Sequence, residues 1–222
     1  FAGGEVPAGA GPAQTAEQIR AMLAFSDDGK WAAFLTYPLR KEAEKLKKAK
    51  KPIQTSVKLV DLATGKDIEY PKVRQFAFSG KSSSSLAMLR YGPEASSGSG
   101  GSGAGAGGSG SPAGGSGGSS SSKPKGADLI IRDLVSGTDL TVGSVSEFTF
   151  TKAGDRLAWT IDAEDKIGNG VSARDMKTGN VTPIDSGKAI YEKAAWNEEG
   201  DAFAVLKGVE DKAYEDKLYA VI

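Results

Sequence analysis

The chain has 222 residues with 28 Lys and Arg against 28 Asp and Glu, so its formal net charge is zero. That balance argues against a dedicated nucleic-acid binder, which carries a basic excess. There is no His and no Cys, so the chain by itself supplies neither a Ser-His-Asp triad nor the usual zinc ligands. No apolar run of about 18 residues or more is present, so no membrane span is expected.

Residues 1–20 read as a flexible lead-in. Residues 1–13 are mostly Gly, Ala and Pro with little to bury. Thr15 and Gln18 are spaced as a capping box, which predicts a short helix over Thr15–Met22. Leu23–Ser26 then opens a strand, and Lys30–Tyr37 forms a second one. In that strand Trp31, Ala33 and Leu35 share one face, Ala32 and Phe34 the other. Two apolar faces suit a sheet packed between neighbouring sheets.

Pro38–Lys51 interrupts the strands. Ala43, Leu46 and Ala49 recur at helical spacing among Arg40, Lys41, Lys45, Lys47, Lys48, Lys50 and Lys51, with only Glu42 and Glu44 opposing them. The stretch reads as a short helix on a long loop. Its basic face suits an acidic partner, but a solvated helix with a thin apolar stripe explains it as simply. Gln54–Asp61, Val73–Phe78 and Leu86–Tyr91 resume the sheet. Residues 96–124 are almost pure Ser, Gly and Ala, a composition that cannot offset the entropy of ordering, so a disordered Gly/Ser loop is expected. Ala127–Leu134 continues the strands beyond it.

Phe148–Ile184 is the most regular stretch, with four short strands and tight turns. Leu157, Trp159 and Ile161 alternate, Gly168-Asn169-Gly170 allows a reversal, and Lys177-Thr178-Gly179 makes the next turn. Ile190–Trp196, Ala202–Lys207 and Lys217–Ile222 follow.

Two landmarks repeat. The first is an aromatic, then a turn rich in Asp and Gly, then an apolar strand. It occurs at Phe25–Trp31, Phe78–Lys81, Phe150–Asp155 and Trp196–Asp201. The second is Asp-x-x-(Ser/Thr)-Gly, at Asp61–Gly65, Asp133–Gly137 and Asp175–Gly179. The aromatics stand about 53, 72 and 46 residues apart, and the middle interval falls to about 43 without the Gly/Ser tract. A period in the forties with four strands per unit marks propeller blades. A β-sandwich also repeats short strands, but gives no reason for the same two landmarks in the same order.

The expected fold is therefore all-β: a partial β-propeller of about three and a half four-stranded antiparallel blades, with one short helical insertion and the Gly/Ser loop. Residues 21–222 divide into blade 1 at about 21–72, blade 2 at about 73–144, blade 3 at about 145–187 and an incomplete blade 4 at about 188–222.

Several motifs imitate chemistry. Gly114–Gly118 fits a nucleophile elbow, yet lies in a Gly/Ser tract without the flanking strand and helix. Gly80-Lys81-Ser82 resembles the end of a phosphate loop, but Gln75 stands where that pattern requires Gly. Asp162-Ala163-Glu164-Asp165 hints at a calcium loop, but Lys166 occupies a ligand position and Ile167 the Gly position. Asn180-Val181-Thr182 is a glycosylation sequon followed by Pro183 in a strand-like context. No catalytic, cofactor-binding or metal residue is assigned, and no cofactor is expected.

The stretches FSDDGKWAAF, VKLVDLATGK, DRLAWT and ARDMKTGN resemble the TolB-like propeller repeat. DKIGNGVSARDMKTG followed by YEKAAWNEEGDAFAVL is similar, more narrowly, to the N-terminal propeller of bacterial prolyl oligopeptidase family serine peptidases. The likeness spans about residues 21–222, and Phe78-Ser79-Gly80 departs from it by lacking the usual Asp. In that family a propeller precedes an α/β-hydrolase domain holding the Ser, Asp and His, none of which has a counterpart here. The resemblance implies a non-catalytic part that shapes or gates peptide access to such a domain, in a periplasmic or secreted serine peptidase. The implied partners are the peptide substrate of the parent enzyme and the α/β-hydrolase domain. The rival expectation is a non-enzymatic TolB-like propeller that binds a protein partner.

Overall fold

A computed structural model of the chain describes residues 22–92, 126–164, 166–210 and 218–222. The expectations for the lead-in, for the helix at Thr15–Met22 apart from Met22, for the Gly/Ser loop and for the Gly114–Gly118 motif lie outside these residues. The first sheet pairs β1 (Leu23–Phe25), β2 (Trp31–Thr36), β3 (Ser56–Asp61) and β4 (Asp67–Tyr70) in sequence order, all antiparallel. Between β2 and β3 stands helix α1 (Arg40–Lys48).

The second sheet holds seven strands in sequence order: β5 (Val73–Phe78), β6 (Ser85–Arg90), β7 (Ala127–Asp133), β8 (Asp139–Phe150), β9 (Arg156–Ile161), β10 (Gly170–Asp175) and β11 (Val181–Ser186). The third contains β12 (Ile190–Trp196), β13 (Phe203–Val209) and β14 (Leu218–Val221). The fold is an antiparallel, mostly β arrangement of propeller blades with one short helix, and the described residues form no closed ring.

The seven-stranded sheet is two four-stranded units that share β8. Its first half pairs with β7, as Ile131 with Leu140 and Leu129 with Val142. Its second half pairs with β9, as Phe148 with Trp159 and Phe150 with Leu157. Val145 is partner to both Ala127 and Ile161, and the register shifts on each side there. Such an irregularity sharpens local twist, so one continuous strand ends one unit and begins the next. Hydrophobic alternation does not show this, because the two-residue spacing breaks at Val145, three residues after Val142 and three before Phe148, so the stretch reads as two strands.

The cores lie between the units. Ala33, Val57 and Leu59 of the first sheet meet Val73, Phe76, Leu86, Met88 and Ile130. On the opposite side of the same strands, Ala87, Leu89, Leu129 and Ile131 meet Val145, Phe148, Leu157 and Trp159. Strand β6 explains the arrangement: successive side chains point to opposite faces, and Leu86, Ala87, Met88 and Leu89 are all fully buried. Each such leucine contributes about 1.5–3 kcal/mol by leaving water. The last seam is thinner, built on Val171, Ala189, Tyr191 and Val205.

The second landmark is one turn made three times. Asp61 Oδ1 accepts from the backbone N–H of Ala63 and Thr64, Asp133 Oδ1 from Val135 and Ser136, and Asp175 Oδ1 from Lys177 and Thr178. The closing Gly then donates back to the Asp carbonyl in each. All three carboxyls are held below the usual carboxylate range. The largest cause is the Thr64 hydroxyl for Asp61, and the backbone N–H of Ser136 and of Thr178 for the other two.

A carboxyl depressed by folding adds stability above its unfolded pKa of about 3.9, and that stability is lost as pH falls through the lower folded value. Melting temperature should therefore drop below about pH 4. Converting the three Asp to Asn should lower it at pH 7 and flatten its dependence on acid. An unchanged acid slope in the triple variant would show that other groups govern it.

Candidate functional site: the loop-bearing end of the blades

The two ends of the arc differ in construction. One carries the first landmark from every blade. The residue directly after each aromatic is Ser26, Ser79, Thr151 or Asn197, and each side chain accepts a backbone N–H five positions on: Trp31 at 3.0 Å, Ser84 at 3.0 Å, Arg156 at 3.3 Å and Ala202 at 3.0 Å. These acceptors, more than the Asp and Gly around them, define the turn. The blade 2 turn lacks the Asp yet is built likewise, with one added residue: Ser79 N–H bonds Ser85 O, and Ser79 Oγ also accepts from Ser85 N–H. The readable signal was the Ser, Ser, Thr and Asn in the same place after four aromatics. Asp28 assists in blade 1, where the Ser26 hydroxyl, at 2.6 Å, is the main reason its carboxyl sits below the usual range.

These turns lock to one another. Asp28 N–H donates to Ser83 Oγ, Ser82 Oγ donates to Gly154 O, Ser82 N–H donates to Ala153 O, and Lys152 pairs with Glu198 at 2.7 Å. Gly80-Lys81-Ser82, the phosphate-loop look-alike, is a single 3-10 turn in this belt, with Lys81 N–H given to Lys152 O.

At the opposite end lie the starts of β5 and β12, the β8 bend, and the connections from the second to the third strand of blades 1 and 3. This end holds α1 in blade 1 and the Asp162–Asn169 loop in blade 3. It also has three clefts. One of about 280 Å³ lies among Arg74, Gln75, Ser146, Glu147, Tyr191 and Glu192. One of about 420 Å³ is bordered by Lys72, Arg90, Tyr91, Asp128 and Ser144. The third, about 210 Å³, lies among Lys166, Lys188, Ile190 and Glu210.

Polar contacts cross every seam between blades, most of them at this end. Tyr70 OH donates to Asp139 Oδ1 at 3.2 Å, and Arg132 Nη1 reaches the same oxygen at 3.2 Å. Burial, then the Asp139 charge, pushes the Tyr70 phenol up to about 12. Arg74 Nη2 donates to Ser146 O at 3.0 Å. Glu147 Oε2 accepts from Lys193 N–H at 2.8 Å and Ala194 N–H at 3.4 Å. Lys193 has a φ of 59°, which turns two successive N–H groups towards one carboxylate.

Asp185 accepts from Lys207 Nζ at 2.7 Å and Tyr191 OH at 2.9 Å. Those two donors, Lys207 first, hold its carboxyl low, while Asp185 raises Lys207 and burial raises Tyr191.

The Gly-Asn-Gly stretch holds the key residue of the third blade. Asn169 is completely buried. Its Nδ2 donates to Ala189 O at 2.8 Å and to Asp162 Oδ1 at 3.4 Å, and its Oδ1 accepts from Ala163 N–H at 2.8 Å. The reversal seen in the sequence is thus also a clamp from blade 3 to the start of blade 4, and Asp162 serves it. Asn180 of the sequon is exposed just ahead of β11, and Pro183 lies within β11 on the sheet edge, where a missing N–H is tolerated. Arg74, Glu147 and Asn169 carried no chemical motif in the sequence. Only their place at strand starts and in a loop assembles them.

No family model matches the chain, and no curated protein matches it in sequence. Solved structures do share its shape. An oligogalacturonate lyase in complex with manganese superposes with a TM-score of 0.52 at 13% identity, over 90% of this chain and 49% of that one. The β-propeller domain of the Trilobed protease from Pyrococcus furiosus, described as having an open velcro topology, gives 0.47 at 10% identity over 90% and 53%. A structure from a study of two prolyl endopeptidases gives 0.45 at 15% identity over 90% and 26%. The chain spans from 16% to 53% of the lengths of the solved structures it resembles. At these identities the likeness is one of fold, a run of antiparallel propeller blades.

Proposed function

We propose that the chain is the non-catalytic propeller portion of a prolyl oligopeptidase-like serine peptidase, periplasmic or secreted, whose loop-bearing end faces an α/β-hydrolase domain and shapes peptide access to it. The observation that carries this reading is the asymmetry of the arc. One end is bound shut by interlocked turns, and the other gathers three clefts and the long connections. The repeat resemblance supports the same reading, with DKIGNGVSARDMKTG supplying its narrower part. The absence of His from the chain leaves hydrolysis to the other domain.

The purified chain should show only background turnover of prolyl and acyl-peptide chromogenic substrates. An extended proline-containing peptide should perturb NMR signals of Arg74, Glu147 and Tyr191 and leave those of Ser82 and Gly154 unchanged. Turnover by the chain alone, or perturbation confined to the turn end, would overturn the proposal.

A further inference from the structure

A second surface lies outside those clefts. Seven of the chain's 28 Lys and Arg fall within residues 40–51, against two of its 28 Asp and Glu. This is a local excess of five positive charges in an otherwise acidic chain. Helix α1 carries most of them and has no buried residue. Arg40 pairs with Glu44 at 3.2 Å, four positions on. Lys41, Lys45, Lys47 and Lys48 have no carboxylate partner among the described residues, so the charge is presented to solvent.

The helix also has a sided character. Leu39, Ala43 and Leu46 follow one another at helical spacing, with Lys45 on one flank of that stripe and Arg40 and Lys47 on the other. Leu39 is 75% exposed and Tyr37, two residues ahead, 61%. None of the three clefts is lined by residues of this segment. A peptide partner is best held by a concave site. A convex basic helix with apolar side chains at its entry fits a flat anionic layer, where lysines meet headgroups and Leu and Tyr enter the boundary.

We infer that α1 and its Tyr37–Leu39 approach form a peripheral docking surface for an anionic lipid bilayer. The attraction is electrostatic first, so it is sensitive to salt.

The test is co-sedimentation of the full 222-residue chain with vesicles of phosphatidylcholine, with and without phosphatidylglycerol. Binding should require the anionic lipid and weaken sharply between low and high salt. Replacing Lys41, Lys45, Lys47 and Lys48 by Glu should reduce partitioning at least roughly tenfold. Since these four lysines are exposed, the melting curve of that variant should match the parent and separate lost binding from lost fold. Tyr37→Ser with Leu39→Ser should weaken binding while the charge is intact. Equal binding to neutral vesicles, or anionic binding indifferent to the charge reversal, would overturn the inference. So would capture by a poly-glutamate peptide without capture by vesicles, which would assign the surface to an acidic polypeptide.

Discussion

Replacing Gly154 by alanine should destabilise the chain by about 3 kcal/mol or more, a fall of roughly 6–12 °C in melting temperature for a domain of this size. Two effects add. Gly154 has a φ of 76°, a left-handed conformation that costs a residue with a Cβ roughly 1–2 kcal/mol. The added Cβ would also stand 1.3 Å from the carbonyl oxygen of Ser79 and 2.6 Å from Ser82 Oγ. The first of these is backbone in the neighbouring blade, so relief requires the two turns to part, and the Ser82–Gly154 and Ser82–Ala153 hydrogen bonds go with them.

Gly29 is the control. It occupies the corresponding turn of blade 1 with a φ of 68°, and nothing lies within 4 Å of a Cβ built there. Gly29→Ala should therefore cost only the conformational part. If thermal melts gave equal losses for both variants, the interlocking of the turns would contribute nothing to stability.

The second large effect is expected at Asn169. Asn169→Ala should cost about 3 kcal/mol. It orphans Ala163 N–H in a half-buried place and Ala189 C=O in a buried one, and each unsatisfied group costs about 1–3 kcal/mol. Asn169→Asp separates shape from hydrogen bonding. The introduced carboxyl keeps the acceptor for Ala163 but turns an oxygen towards Ala189 O and the Asp162 carboxylate. Charge repulsion and burial would raise its pKa above that of an ordinary Asp. Its folded form is then favoured when protonated, so its deficit relative to the parent should shrink as pH falls from 7 towards 5. Denaturant titrations at both pH values would check this. A deficit that does not change with pH would mean the side chain is solvated and the clamp does not exist as described.

Much of the fold could be read from the sequence because propeller blades advertise themselves locally. An Asp that accepts two N–H groups from the next three residues gives the same five-letter pattern wherever it occurs, as at Asp61, Asp133 and Asp175. The strand Trp31–Leu35, apolar on both faces, read as part of a sheet packed between neighbours. The legible features were those whose partners lie within a few residues.

The site was less legible for the converse reason. Arg74 meets Ser146, and Glu147 meets Lys193, across intervals that no local pattern encodes. Asn169 was visible only as a reversal, since a turn requires no more than its backbone. The continuity of β8 was hidden because the two-residue apolar spacing breaks at Val145, where the pairing changes from β7 to β9. The repeated Ser, Ser, Thr and Asn after the aromatics was present in the sequence. It stood beside the more familiar Asp and Gly, although the lack of the Asp in blade 2 did not prevent the turn.

The described residues form an open arc whose outer blades each keep one face uncovered among those residues. Leu23 and Phe25 on β1 are exposed at one end, and Tyr219 and Val221 on β14 at the other. β14 is also an edge strand in its sheet. Apolar faces and bare edges of this kind seek partners. Sedimentation of the 222-residue chain over a range of concentrations tests this directly. The open arc predicts concentration-dependent self-association, reduced when Phe25, Tyr219 and Val221 are replaced by Ser. A monomer at all concentrations that also melts in one sharp cooperative step would mean that the chain covers its own ends, and would contradict the open arc.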